Sequence, residues 1–276
     1  MFDETDIKQA VRERYAGHAQ AGTSCCSSSQ SPSSCCGSST VSPELGYEAG
    51  ALAEIPAGAD LSLGCGNPLA LLELSEGETV LDLGSGGGID CFLAAKRVGP
   101  TGHVIGVDMT PEMIDRARRN AASGGYGNVE FRLGEIEHLP VEDASVDAVI
   151  SNCVVNLVPD KAQVFRDVFR VLKPGGRLSV SDIVTLGEVP LAIRDSVDAY
   201  VACLSGAILR DEYLALMEDA GLEDVTITEA RTFTIGDVVA EDLVAEFAER
   251  SGATRAELEQ AAALFQSVRV QARRPA

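Results

Sequence analysis

Val80-Leu-Asp-Leu-Gly-Ser-Gly-Gly-Gly88 is the stretch from which the rest of the chain can be read. It joins a short apolar strand, Thr79–Leu83, to the helix-like run Ile89–Val98 through a glycine loop. Glycines let a backbone turn sharply and approach a ligand closely. A helix that starts at once behind them offers free N–H groups. The next strand, His103–Val107, closes on Asp108, 20 residues beyond Gly88, where a carboxylate can accept both hydroxyls of a ribose. The loop reads Gly84-x-Gly86-x-Gly88 rather than the Gly-x-Gly-x-x-Gly of dinucleotide sites. Asp82 in front of it would repel a pyrophosphate and suits a cationic ligand.

The alternation continues outward. Thr110 and Pro111 open a helix that runs to about Ala122 and stops at Gly124-Gly125. Val129–Leu133 and Val146–Ile150 read as strands, and Lys161–Leu172 as a helix. The turn Lys173-Pro-Gly-Gly176 and the strand Arg177–Ile183 follow. Strands alternating with helices predict an α/β fold with a doubly wound, mostly parallel sheet and right-handed crossovers. Helices are expected at Pro68–Leu74, Leu191–Leu204, Asp211–Ala220, Glu241–Glu249 and Thr254–Leu264, and strands at Asp224–Ala230 and Gln266–Arg273.

Ahead of this region, Ile7–Tyr15 can form a short amphipathic helix. From about Ala16 to Ser42 the chain is rich in Ser and Gly and carries Cys25-Cys26 and Cys35-Cys36. Such a composition buries too little apolar surface to order itself. The expected organisation is a flexible Ser/Cys-rich arm over 1–45, a main domain over 46–230 and a small C-terminal α+β portion over 231–276. With 22 basic against 42 acidic residues the net charge is −20, which argues against nucleic acid and anionic membrane surfaces as partners. No run approaches a membrane helix, and the first residues lack the basic and apolar regions of a signal peptide. A cytoplasmic location is the expectation, with the eight cysteines as thiols, ligands or redox groups rather than structural disulfides.

Three cysteines stand apart. Cys153, in Ser151-Asn-Cys-Val154, follows the fourth strand at the edge where open α/β sheets bind ligands. Cys65 lies in a turn, Leu63-Gly-Cys-Gly-Asn-Pro68, and Cys203 lies in Ala202-Cys-Leu-Ser-Gly206 beyond the fifth strand. Cys91, on the apolar run Ile89-Asp-Cys-Phe-Leu-Ala94, reads as core packing. No Cys-x-x-Cys spacing or nearby histidine points to zinc. Three distant thiolates suit a soft, three-coordinate centre.

The glycine loop with Asp82 and Asp108 resembles that of S-adenosylmethionine-dependent methyltransferases. Together with Asp108-Met-Thr-Pro111 and the three cysteine motifs, it makes residues 45–225 similar to arsenite methyltransferases. The resemblance implies a Rossmann-like class I methyltransferase with a seven-stranded sheet and S-adenosylmethionine as cofactor. It implies that Cys65, Cys153 and Cys203 hold As(III), arsenite or methylarsenite, as the catalytic trithiolate. For the cofactor it implies Asp82, Gly84, Ser85, Gly86, Gly88 and Asp108, with Met109 on the adenine face. Glu135 and Ile136 would sit beyond the third strand, and Asn152 on the donor side. Arsenic bound by thiols carries no proton to remove, so no general base is expected, and His18, His103 and His138 are left to surface or loop positions. The implied partners are arsenic–thiol conjugates and a thioredoxin or glutathione reductant, in arsenic detoxification. Leu63 departs from the aromatic residue that often precedes the Gly-Cys-Gly turn. The alternatives are a methyltransferase of an organic acceptor with Asp182 as base, and a soft-metal-binding thiol protein.

Overall fold

The computed structural model describes residues 4–21, 46–189, 206–238 and 254–276. Strands β1 (Thr79–Leu83), β2 (His103–Asp108), β3 (Val129–Leu133), β4 (Val146–Asn152), β5 (Leu172–Thr185), β6 (Glu223–Thr232) and β7 (Phe265–Arg273) form one sheet. Their order is β3-β2-β1-β4-β5-β7-β6. β1 to β5 pair in parallel, and β7 runs antiparallel between β5 and β6.

Period-two alternation explains why the parallel strands are apolar on both sides. Val80, Val104, Ala148 and Ile150 face one core with helices α3 (Ile89–Val98) and α4 (Pro111–Gly124). Leu81, Ile105, Val107 and Val149 face the other with α5 (Lys161–Val171) and α6 (Arg210–Asp219). Phe92 fills the first core, and Phe165 packs edge-on against Tyr213 in the second at a centroid distance of 5.4 Å. All three rings are fully buried. Further helices are α1 (Glu4–Ala21), α2 (Ala49–Ala53), α7 (Ile235–Val238) and α8 (Arg255–Ala262). Among the described residues no helix is long and apolar enough to cross a membrane.

Several expectations change. The N-terminal helix is longer than Ile7–Tyr15 and does not belong to an arm. Ala19 and Tyr15 pack with Leu61, Leu63 and Met113, and Arg116 on α4 donates to the Ala19 carbonyl at 2.9 Å. Pro68–Leu74 is a turn followed by extended chain, not a helix. Its carbonyls are taken by distant side chains: Ser179 Oγ donates to Pro68 O at 2.7 Å, and Arg97 to Leu69 O. Lys173–Gly176 lies within β5, where the register against β4 slips between Val146 and Ala148. Residues 265–273 do not form part of a separate C-terminal portion, because β7 is bonded into the main sheet along β5 from Thr185 to Arg177. Thr110 occupies the N-cap of α4, but its side chain makes no capping bond. The helices expected at Leu191–Leu204 and Glu241–Glu249, and the Cys25-Cys26 and Cys35-Cys36 pairs, lie outside the described residues.

Candidate active site

Beyond the carboxyl ends of β1, β2 and β4 lies a pocket of about 1000 Å³, part of it open to solvent. The glycine loop forms its floor, and Val11 and Tyr15 of α1 reach its wall. Ser85 Oγ lies buried there without a hydrogen-bond partner, a polar atom left for a ligand.

Acid groups dominate the pocket's electrostatics. Asp82 lies one residue before the end of β1, and Asp90 in the first turn of α3; both are buried. Burial and the neighbouring Asp90 push Asp82 well above the carboxylate range. The Cys91 thiol opposes this by donating to Asp82 Oδ2 at 3.2 Å. Burial raises Asp90 to about 6, while hydrogen bonds from Tyr47 and Asn152 hold it down. Asp108 is raised by burial against N–H bonds from Thr110 at 2.8 Å and Gly86 at 2.9 Å. Such a set repels anions and gains from a cation. The amino and sulfonium groups of S-adenosylmethionine are cations, so the donor set fits that cofactor.

The Gly-Cys-Gly turn is explained by two close approaches. A Cβ on Gly64 would sit 2.5 Å from Asn152 Nδ2, and one on Gly66 would sit 2.9 Å from the Ser181 side chain. With glycine on both sides, the Cys65 turn lies flat over the ends of β4 and β5. Asn152 Oδ1 accepts the Cys65 N–H at 3.1 Å, and Asn152 Nδ2 donates to Gly66 O at 2.9 Å. Cys153 follows in the left-handed region at φ 59, a strained place for a residue with a side chain. Its N–H is held by Ser181 O at 2.8 Å. That conformation turns its sulfur toward Cys65, and the two form a disulfide with a Cα–Cα distance of 5.7 Å. The expectation of free thiols at these positions is corrected to this extent. The fully buried Asp182 lies beside them, with a carboxylate oxygen and both sulfurs all within 4.8 Å of one another.

The structure therefore brings Cys65 and Cys153 together from motifs 88 residues apart; Cys203 lies outside the described residues. Asp82, Gly84, Ser85, Gly86, Asp108, Met109, Ile136 and Asn152 all line the pocket. Gly88 does not; at φ 98 it caps α3 beneath Phe92 and Phe131, which a side chain would strike. Glu135 does not line the pocket either. Its carboxylate turns away to Lys8 at 2.6 Å and Arg12 at 3.6 Å on α1, and the neighbouring Glu137 takes the wall position. His18, His103 and His138 stay outside the pocket. Cys91 is core packing, as its sequence suggests, and also the donor to Asp82. Sequence reasoning missed Asp90, Tyr47 and Tyr15. A lone acid in the apolar run Ile89–Ala94 was the available signal for Asp90; nothing local marked the tyrosines. Tyr15 packs with Leu63, and both Tyr15 and Tyr47 line the pocket.

Residues 74–221 match the model of a methyltransferase domain. The chain is 34% identical to the arsenic(III) S-adenosylmethionine methyltransferase of Chlamydomonas reinhardtii, whose crystal structure superposes with a TM-score of 0.63 over 82% of this chain and 73% of that one. The chain belongs to the arsenite methyltransferase family. It is 51% identical over 232 residues to the arsenite methyltransferase of Halobacterium salinarum, covering 82% of this chain and 59% of that protein. The human arsenite methyltransferase is 40% identical over 181 residues, 62% of this chain and 48% of its own length. The chain thus spans about half to three-fifths of the curated relatives it matches.

Proposed function

We propose that this protein moves the methyl group of S-adenosylmethionine to trivalent arsenic, either arsenite held by the thiolates of Cys65, Cys153 and Cys203 or methylarsenite held by two of them. The observation that carries the reading is the meeting of Cys65 and Cys153 beside a pocket lined by Asp82, Asp90 and Asp108. Thiolates are the preferred ligands of soft centres. Family membership supports the same reaction.

S-adenosylmethionine supplies an electrophilic methyl carbon on a positively charged sulfur. Asp82 and Asp90 would hold the cationic end of the cofactor, and Asp108 the ribose. Each reduced cysteine forms an As–S bond by ligand exchange, its thiol proton leaving with the displaced group: as water from arsenite, or as free thiol from a thiol conjugate. Thiolate donation leaves the arsenic lone pair available, and alignment in the pocket makes its attack effectively unimolecular. The As–C bond forms as the methyl–sulfur bond breaks, with the electron pair staying on sulfur. Arsenic is then pentavalent. Cys65 and Cys153 return it to As(III) as both of their As–S bonds break and the disulfide closes, leaving methylated As(III) on Cys203 with a hydroxyl from water as its remaining ligand and a proton released. A thioredoxin- or glutathione-type dithiol must reopen that bond before the next turnover. Arsenic would arrive as a thiol conjugate, and the role of the reaction is detoxification.

The test is incubation of reduced protein with arsenite, S-adenosylmethionine and a thiol reductant, followed by arsenic speciation. Methylated arsenic is expected from the wild type, with a loss of roughly a hundredfold or more in Cys65→Ser and in Cys153→Ser, the scale of removing a group that the transition state requires. A Cys153→Ser protein that methylates arsenite at the wild-type rate overturns the reading.

A further inference from the structure

Asn152 makes an unusual number of contacts for one amide, and they fall into two sets. One set holds the acceptor side: Oδ1 accepts from Cys65 N at 3.1 Å, and Nδ2 donates to Gly66 O at 2.9 Å. The other set reaches the donor side: Nδ2 donates to Tyr47 Oη at 2.9 Å and lies 3.3 Å from Asp90 Oδ2. Tyr47 in turn donates to Asp90 Oδ1 at 2.8 Å and Oδ2 at 3.1 Å. Tyr47 and Asp90 are both buried. The path from the pocket to the Cys65 backbone is therefore short and continuous: Asp90, Tyr47, Asn152, Cys65 N–H. Its donor directions are fixed, because a tyrosine hydroxyl that gives its hydrogen to a carboxylate offers only its oxygen to Asn152. Gly64 has no Cβ where Asn152 passes, so the turn and the amide are fitted to each other.

We infer that Asn152 is a positioning residue that couples the two halves of the reaction: cofactor occupancy sets the Cys65 turn through Asp90, Tyr47 and Asn152. This rests on the reading that the pocket holds S-adenosylmethionine, with Asp90 toward its cationic end. A cation beside Asp90 holds that carboxylate ionised and in one position, the form that accepts the Tyr47 hydrogen. The Tyr47 oxygen becomes the better acceptor for Asn152, and the amide that carries Cys65 is held more firmly. Bonds in such a chain reinforce one another, and coupling of this kind is reciprocal. The consequence for the enzyme is mutual support: an occupied donor site and the working geometry of the acceptor thiols favour each other.

The coupling is read without arsenic, so its failure is distinct from failure of the arsenic reading. Fully reduced protein is treated with iodoacetamide, with and without saturating S-adenosylhomocysteine, and alkylation of Cys65 is followed by peptide mass spectrometry. In the wild type, S-adenosylhomocysteine is expected to slow Cys65 alkylation about fivefold or more, the lower range of coupling between sites. In Asn152→Ala, with binding of S-adenosylhomocysteine verified by calorimetry, the effect is expected to vanish. A merely structural role would change the basal rate and leave the ligand's effect in place. Should Asn152→Ala not bind the ligand, Tyr47→Phe, which leaves both Asn152 contacts to the turn, is expected to reduce the effect. The inference is overturned if bound ligand leaves wild-type Cys65 unchanged, or if the variant that binds it keeps the full effect, as simple shielding of the thiol would give.

Discussion

Asp90 connects the pocket's charge to its pH response. Burial lifts it to about 6, against roughly 3.9 for an unfolded aspartate. The folded, ligand-free protein therefore binds more protons than the unfolded chain between those values. The stability contributed by this group is complete below the unfolded value and is lost as pH rises through about 6. A cationic cofactor favours the ionised form, so binding moves the other way. Affinity for S-adenosylmethionine is expected to rise as pH increases through about 6, and Asp90→Asn to bind more weakly with a flatter profile. Calorimetric titrations on both sides of that pH measure this; a wild-type affinity that falls as pH rises would contradict it. Asp90 was legible only in part. Its sequence places it on a helix with apolar neighbours, but the partners that shift it, Tyr47 and Asn152, come from segments far away in the chain.

At the scale of elements, the βαβ alternation was readable because each parallel strand is an apolar run bounded by a turn signal. The bounds of β1, α3 and β3 follow directly from those patterns. Pro68–Leu74 misled because its apolar residues serve a turn whose carbonyls are bonded by Ser179 and Arg97, contacts no local pattern records. α1 was underestimated for the same reason, since its hold on the molecule is tertiary. Lys8 pairs with Glu135 and Glu137, and Val11 and Tyr15 face the pocket. Glu135 is half-exposed, where such a pair contributes about 0–1 kcal/mol, but Glu137 is buried and depends on Lys8 for its charge partner. Lys8→Glu sets a third carboxylate against Glu135 and Glu137, and should lower the melting temperature and weaken cofactor binding severalfold by loosening the wall that α1 provides. Parallel thermal melts and binding titrations test this; equal binding by the variant would contradict it. Inside the sheet the stakes are higher. Phe92→Ala removes a fully buried ring touching Tyr126 and Phe131, and chemical denaturation should show a loss of about 3–5 kcal/mol.

Across the whole molecule the charge of −20 is the dominant fact. Like charges on a compact surface repel, and salt screens them: the Debye length falls from about 30 Å at 0.01 M to about 3 Å at 1 M. Salt also weakens surface pairs such as Lys96–Glu54 and Arg132–Glu130, but these contribute little individually. The acidic excess should win. The melting temperature is expected to rise by several degrees from low to high potassium chloride, and a fall would contradict this. The sulfur chemistry rests on a second whole-molecule property: the sheet brings the loops after β4 and before β1 together at one edge, which the sequence could place but not measure. The most direct test of the central claim is X-ray absorption at the arsenic edge on reduced protein with one equivalent of arsenite. An all-sulfur first shell that loses a sulfur in Cys65→Ser and in Cys153→Ser is the predicted result. A shell dominated by oxygen, or one that neither substitution changes, would contradict it.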